Sequence, residues 1–207
     1  MAPPRCGAPG RPANVSSEGA LILVVGPSGA GKDSILRGLR SAFANDRAVR
    51  FARRFITRLP DGNEDNLAIT PTQFSAAREI GGFLLAWDAH GLSYGLPASI
   101  GIDLACGVSI VANVSRNVVD AARRLWPKTY VVLVTASPET LQERLAHRGR
   151  DGDAQLRLAR VVPTDAFSPD IIVHNEGDIG SAILRLSEFL RSVVHASEQR
   201  TAHHAAV

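Results

Sequence analysis

Nine consecutive residues carry the clearest chemistry in this chain: Gly26-Pro27-Ser28-Gly29-Ala30-Gly31-Lys32-Asp33-Ser34. Gly26, Gly31 and Lys32 have the G-x-x-x-x-G-K spacing of a phosphate-binding loop. Glycines let successive backbone N–H groups turn inward around an anion, and a helix that starts there adds its positive end. A lysine closing the loop reaches the β- and γ-phosphates of a nucleoside triphosphate and stabilises charge during transfer. Where the motif usually places Ser or Thr on Mg²⁺, this chain has Asp33, followed by Ser34. Aspartate is a hard-oxygen ligand suited to magnesium; the other reading of Asp33 is a helix-start acid favoured by the macrodipole. Of the 23 basic residues, two are lysines, Lys32 and Lys128, and the rest are arginines. A site that needs a lysine has used one of two.

The arginines form the second set of candidates. Arg53, Arg54 and Arg58 gather around one predicted strand and its exit. Arginine presents a planar fork of donors that grips phosphate at two points. Alternation along a strand puts Arg54 and Phe55 on opposite faces, so not all three converge. Arg144, Arg148 and Arg150 lie near a helix end before Asp151-Gly152-Asp153, and Arg157 and Arg160 follow. A solvated strand end also accounts for Arg53 and Arg54, and a solvated helix for Arg144 and Arg160. Asp88, His90 and Asn113 offer partners for sugar hydroxyls, although His90 also reads as a turn residue.

These residues need elements to position them. Ala20–Val25 is a continuous apolar run, as in a strand buried on both faces. After the glycine-rich turn, Ser34–Ala44 has helical spacing through Ile35, Leu39 and Phe43. Val108–Val114 and Tyr130–Val134 predict two more buried strands, followed by helical patterns at Arg116–Leu125 and Pro138–His147. Ile171–His174 and Ile179–Val194 repeat the strand–helix unit. The alternation predicts an α/β domain, a parallel sheet with helices on both faces, over residues 19–194. Residues 55–100 interrupt the rhythm: a polar turn-rich stretch from Arg58 to Asn66, a short helix at Thr72–Ile80, then the apolar piece Phe83–Trp87. They read as an insert on which a second substrate binds. Residues 1–18, with four prolines and no periodicity, and the His/Ala/Ser-rich residues 195–207 read as tails. His195, His203 and His204 suggest metal binding less readily than a solvated end.

Length and composition set outer bounds. The chain has 207 residues, 45% hydrophobic and 21% charged, which suits one soluble domain with a full core. No apolar run approaches the roughly 20 residues of a membrane span, and the prolines and arginines at the start preclude a secretory leader. A net charge of +3 is too small to argue for nucleic acid. Two cysteines, Cys6 and Cys106, make no disulfide framework or zinc spacing, so a reducing cytosol is the expected compartment.

GPSGAGK, with the residues after it, resembles the guanylate kinase branch of the phosphate-loop nucleoside monophosphate kinases. With aspartate at position 33, the sequence is more similar still to the ribose 1,5-bisphosphate phosphokinases of the phosphonate carbon–phosphorus lyase pathway. The resemblance runs over about residues 20–192, through Arg53–Arg58 (RRFITR), Trp87–Gly95 (WDAHGLSYG), Leu145–Arg150 (LAHRGR), Arg157 and Asn175. It implies a nucleoside monophosphate kinase-like fold with an acceptor-binding insert and a mobile lid at about 144–160. It implies ATP and Mg²⁺ as cofactors, with Asp33 on the metal, and a phosphorylated sugar as acceptor. Arg58 matches the arginine that binds the acceptor's phosphate, and Tyr94 matches a tyrosine on that same phosphate; Arg54, His90 and Asn113 join them. Lys32, Arg148 and Arg157 would stabilise the transferring group. Guanylate kinases read guanine with a glutamate and an aspartate, where this chain has Phe83-Leu84-Leu85-Ala86 and Asn113. A guanylate kinase and a non-catalytic interaction module are the rival readings. The first lacks its base readers, and the second is disfavoured by an intact loop with Lys32. Oligomeric state is not readable from the sequence.

Overall fold

The computed structural model describes residues 18–59, 65–146 and 167–204. The first strand, β1 (Leu21–Val25), is buried at every position. Ile22 and Val24 enter one core cluster, and Leu21, Leu23 and Val25 enter the other. A strand that buries both faces belongs at the centre of a covered sheet. β1 pairs in parallel with β7 (Ser109–Asn113) on one side and with β8 (Thr129–Thr135) on the other. β2 (Val49–Phe51) extends the sheet beyond β7, and β9 (Ile171–His174) extends it beyond β8, both parallel. The order is β2-β7-β1-β8-β9. The predicted parallel α/β sheet is what forms.

One face is covered by α1 (Lys32–Ala42) and α6 (Ile179–His204). Ile35 and Leu39 of α1, and Ala182, Leu186 and Leu190 of α6, recur at the i, i+4 spacing that makes one helical face apolar. The helices touch at Gly38, where a Cβ would lie 2.2 Å from Ile183 Cδ1. α6 continues past Val194 to His204, where composition predicted a tail. Ala196, Glu198, Gln199 and Arg200 are good helix formers, a signal the compositional reading overlooked. The other face is covered by α3 (Ile100–Ala105), by α4 (Val119–Leu125) with the 3₁₀ turn Arg116–Val118 before it, and by the insert. α5 (Pro138–Ala146) follows β8. No helix among the described residues is long and apolar enough to cross a membrane.

The insert is a second, smaller sheet. β3 (Phe55–Ile56), β4 (Leu67–Ala68), β5 (Phe83–Ala89) and β6 (Leu92–Pro97) lie in the order β4-β3-β6-β5. α2 (Pro71–Glu79) opens with a capping box: the Thr70 hydroxyl accepts from Gln73 N–H, and Gln73 Oε1 accepts from Thr70 N–H. On the α2 side the rings of Phe74 and Phe83 stack at 4.6 Å, and Phe55 meets Phe83 edge-on at 5.7 Å. On the opposite side Trp87 and Tyr94, direct partners in the β5–β6 ladder, stack at 5.5 Å. The insert thus has an apolar aromatic back and a mixed polar–aromatic front.

Candidate active site

The phosphate loop leaves β1 and is shaped by close approach. Gly26, at φ 149°, lies against β8, where a Cβ would fall 2.0 Å from the Val134 carbonyl oxygen. Gly31 is the N-cap of α1 in the left-handed region, at φ 84° and ψ 17°, which L side chains adopt only at a cost. Its Cβ would fall 2.3 Å from Asn175 Nδ2. That Nδ2 donates to the Ala30 carbonyl at 2.9 Å, and Asn175 N–H donates to Thr135 O at 2.8 Å. The buried Asn175 at the end of β9 therefore braces the loop from below. Lys32 Nζ donates to the carbonyls of Gly26 and Pro27, each at 2.8 Å, so its ammonium is held at the loop's mouth.

Asp33 lies on the first turn of α1, and its Oδ1 accepts from Asn113 Nδ2 at 2.9 Å. Among the described residues no group of three or more His, Cys, Asp or Glu could hold a metal alone. Magnesium in nucleotide sites takes one or two carboxylates and fills its shell with phosphate oxygens and water. A single oriented carboxylate one residue after the loop lysine fits that mode. Asn113 Oδ1 is buried with no hydrogen-bond partner among the described residues.

Loop and insert face each other across a cavity of about 660 Å³. Gly26, Pro27, Ser28 and Lys32 form one wall; Arg54, Trp87, His90 and Tyr94 form the opposite one; Asn113, Ser115 and Arg116, at the exit of β7, close the side. Arg54 is the joint between the walls. Its guanidinium lies 5.4 Å over the Tyr94 ring, its Nε donates to Asn66 Oδ1 at 2.9 Å, and its Nη1 donates to Asn113 O at 3.3 Å. Stacking plus two in-plane bonds fix the plane of the fork. His90, at φ 54°, and Gly91, at φ 72°, make the two-residue turn of the β5–β6 hairpin. A type I′ connection demands positive φ at both positions. His90 is thus both a turn residue and part of the cavity rim.

Of the residues expected from sequence, Gly26, Pro27, Ser28, Lys32, Arg54, His90, Tyr94 and Asn113 line this one cavity. Gly29 and Ala30 are buried under the loop, and Ser34 is half-buried in the first turn of α1. Asp33 reaches the site through Asn113 and lines an adjoining, smaller cavity. Arg58 lines neither cavity: β3 ends at Ile56, and the chain bends at Thr57 and Arg58. Arg148 and Arg157, with the expected lid, lie outside the described residues. The sequence reading missed Ser115 and Arg116 as wall residues. The available signal was position, because ligands sit beyond the carboxyl ends of parallel strands and both residues follow β7.

No family model matches the chain. It is 44% identical over 173 residues to the ribose 1,5-bisphosphate phosphokinase of Rhodopseudomonas palustris, covering 84% of this chain and 89% of that protein. It is 46% identical over 176 residues to the enzyme of the same name from Methylobacterium radiotolerans, covering 84% and 98%. With the one from Acidiphilium cryptum it shares 48% over 161 residues, covering 76% and 84%. The fold is similar to that of guanylate kinase from Anaplasma phagocytophilum, with TM-score 0.64 over 85% of this chain and 86% of that one, at 18% identity.

Proposed function

This chain belongs to the ribose 1,5-bisphosphate phosphokinase family, and from that membership we propose that it transfers the γ-phosphoryl group of ATP to ribose 1,5-bisphosphate. The products are ADP and 5-phosphoribosyl 1-diphosphate. The observation that carries the reading onto this chain is the single cavity in which Lys32 faces Arg54 and Tyr94. Donor phosphates belong against the loop, and the acceptor phosphate belongs against the insert.

The attacking atom is an oxygen of the acceptor's 1-phosphate, already ionised at neutral pH, so no general base is needed. That oxygen bonds to the γ-phosphorus as the bond to the β,γ-bridging oxygen breaks, and ADP takes the electron pair. Catalysis then consists of positioning and charge stabilisation. The Lys32 ammonium exchanges carbonyl partners for phosphate oxygens, and the Arg54 guanidinium holds the acceptor on the opposite wall. Asp33 would hold magnesium together with the nucleotide, and the ion would supply charge neutralisation there; Ser34 joins the loop residues that bind ATP. Arg58, Arg148 and Arg157 complete the proposal as further phosphate-gripping groups.

Guanosine monophosphate fits this wall poorly. Leu85 is buried and apolar and Phe83 is packed into the aromatic back of the insert, so this stretch offers guanine no acceptor, and Asn113 offers one neutral amide oxygen where a carboxylate would be needed. Guanine would leave donors unmet, at about 1–3 kcal/mol each. Phosphorus NMR of ATP·Mg²⁺ with each acceptor tests the reading. Ribose 1,5-bisphosphate is expected to exceed guanosine monophosphate in kcat/KM by about a hundredfold or more, as two such losses imply. Equal use of guanosine monophosphate overturns it.

A further inference from the structure

The transfer cavity leaves a second one unexplained. Between α1 and the insert lies a smaller cavity of about 90 Å³, with room for a group several water molecules in size. Arg37 and Arg40 of α1 and the Asp65–Asn66 segment line it, and it shares Arg54 and Asn113 with the transfer cavity. We propose that this smaller cavity binds the 5-phosphate of the acceptor, the phosphate that does not react. The proposal rests on the reading of the acceptor given above and says where its second charge is held.

The chemistry of the acceptor demands such a place. A sugar bisphosphate brings two dianions, and the reacting one must lie in the transfer cavity across from Lys32. The other requires cations near enough for a five-carbon sugar to span the gap. Arg54 and Asn113 are the common wall of both cavities, so phosphates on either side of that wall share one guanidinium. Arg37, Arg40 and Arg54 supply the donors that phosphate prefers.

The groups of the smaller cavity are also unbalanced in the way an anion would correct. Arg40 Nε is buried with no hydrogen-bond partner among the described residues. A buried N–H left so is costly, and a phosphate oxygen accepts from it. Burial first, and then the neighbouring charge of Arg53, lower the Arg40 pKa below the ordinary arginine value, with Asp33 acting against them. Asp33 and Asp65 are the two acids on this lining against three arginines, and Asp65 is the one paired directly with Arg40. Asp65 also pairs with Arg53, at 2.6 Å, and its side chain is 42% exposed. A half-exposed carboxylate on two arginines is a weak tether, and a phosphate dianion competes with it for the same donors.

Calorimetry with two monophosphate probes decides the matter without turnover. Ribose 5-phosphate and ribose 1-phosphate are each titrated into wild type, Arg40→Gln and Arg37→Ala. Arg40→Gln is expected to weaken ribose 5-phosphate about tenfold or more, the scale of a lost charge-assisted bond, and ribose 1-phosphate by less than twofold. Arg37→Ala, at an exposed helical position, is expected to weaken ribose 5-phosphate about threefold on the same scale. It keeps the test open if Arg40→Gln does not fold. Unchanged ribose 5-phosphate binding in the folded variants, equal weakening of both probes, or no ribose 5-phosphate binding to wild type overturns the proposal. Turnover of ribose 1,5-bisphosphate by wild type is scored separately. The selective binding loss without turnover would keep the subsite and remove the function, and turnover without that loss would do the reverse.

Discussion

At the phosphate loop, position is set by backbone; at the acceptor wall it is set by side chains. Gly26 and Gly31 leave no room for a Cβ against Val134 and Asn175, so the loop's course follows from the absence of side chains within one short segment. The wall proposed for the acceptor is built on Arg54, Tyr94 and Asn113, with Asn66 bonded to Arg54, contributed by β6, β7 and the segments that precede β3 and β4. No element of that wall is itself distinctive. The difference teaches where each half tolerates change. The loop should fail as a unit when its backbone is disturbed, whereas the wall should weaken bond by bond.

The largest expected effect tests the loop's lysine. Lys32→Ala should lower kcat by about a thousandfold or more, since transfer relies on electrostatic stabilisation, with a melting temperature close to wild type. Lys32 donates to two carbonyls of its own loop and belongs to neither hydrophobic core cluster, so the fold should survive its loss. Activity within about tenfold of wild type, roughly 1.4 kcal/mol of barrier, would remove the phosphate loop from the mechanism.

Next comes the backbone itself. Gly31→Ala forces a left-handed residue to carry a Cβ into Asn175 Nδ2, at 2.3 Å, and thereby into the bond bracing Ala30. It should cost about 1–3 kcal/mol of stability and weaken ATP binding, with acceptor affinity nearly unchanged. Denaturant melts and ATP calorimetry check both. If acceptor binding falls in step with ATP binding, the two halves are not independent.

Arg54 is the matching test on the other side. Arg54→Ala removes the stack on Tyr94 and the bonds to Asn66 and Asn113 together. The acceptor KM should rise about ten- to a hundredfold, in line with losing charge-assisted bonds, while the ATP dissociation constant stays within about twofold on the same scale. Arg54→Lys should recover little, because a point charge reproduces neither the fork nor the stacking plane. Full recovery by lysine would show that charge alone matters there.

This asymmetry also accounts for what was legible in the sequence. Motif spacing located the loop because all its determinants lie between Gly26 and Asp33. Apolar runs located β1, β7 and β8 because strands buried on both faces leave no alternation to misread. Arg54 and Tyr94 were found as residue types, but their stacking was not foreseeable, since it depends on β3 and β6 pairing antiparallel with Ile56 opposite Tyr94. Arg58 was expected on the same wall; it lies in the bend after Ile56 and lines neither of the two cavities described. The second cavity was invisible for a similar reason. Arg37 and Arg40 look like a solvated helix face until β2 and the insert are laid against it.

The smallest effect gives the comparison its baseline. α6 covers the face of the sheet beneath the phosphate loop and begins with Asp178 as its cap. Asp178 Oδ1 accepts from Gly180 N–H at 2.9 Å, and Oδ2 accepts from Ser181 N–H at 3.3 Å and from the Ser181 hydroxyl. The Ser181 hydroxyl first, and then the two backbone N–H groups, hold the Asp178 carboxyl below the ordinary aspartate range, with desolvation opposing. A carboxylate whose pKa is depressed on folding stabilises the fold above its unfolded-state pKa, about 3.9. That contribution is lost as the pH falls through the folded-state value. Asp178→Ala should therefore lower the melting temperature slightly at neutral pH, and the gap to wild type should narrow on acidification below about pH 4. Neither KM should move, because among the described residues the bonds of Asp178 stay within the start of α6. A change in the ATP KM alone would mean that α6 transmits to the loop through its packing on α1, and that the loop's geometry is not fixed by its glycines and Asn175 alone.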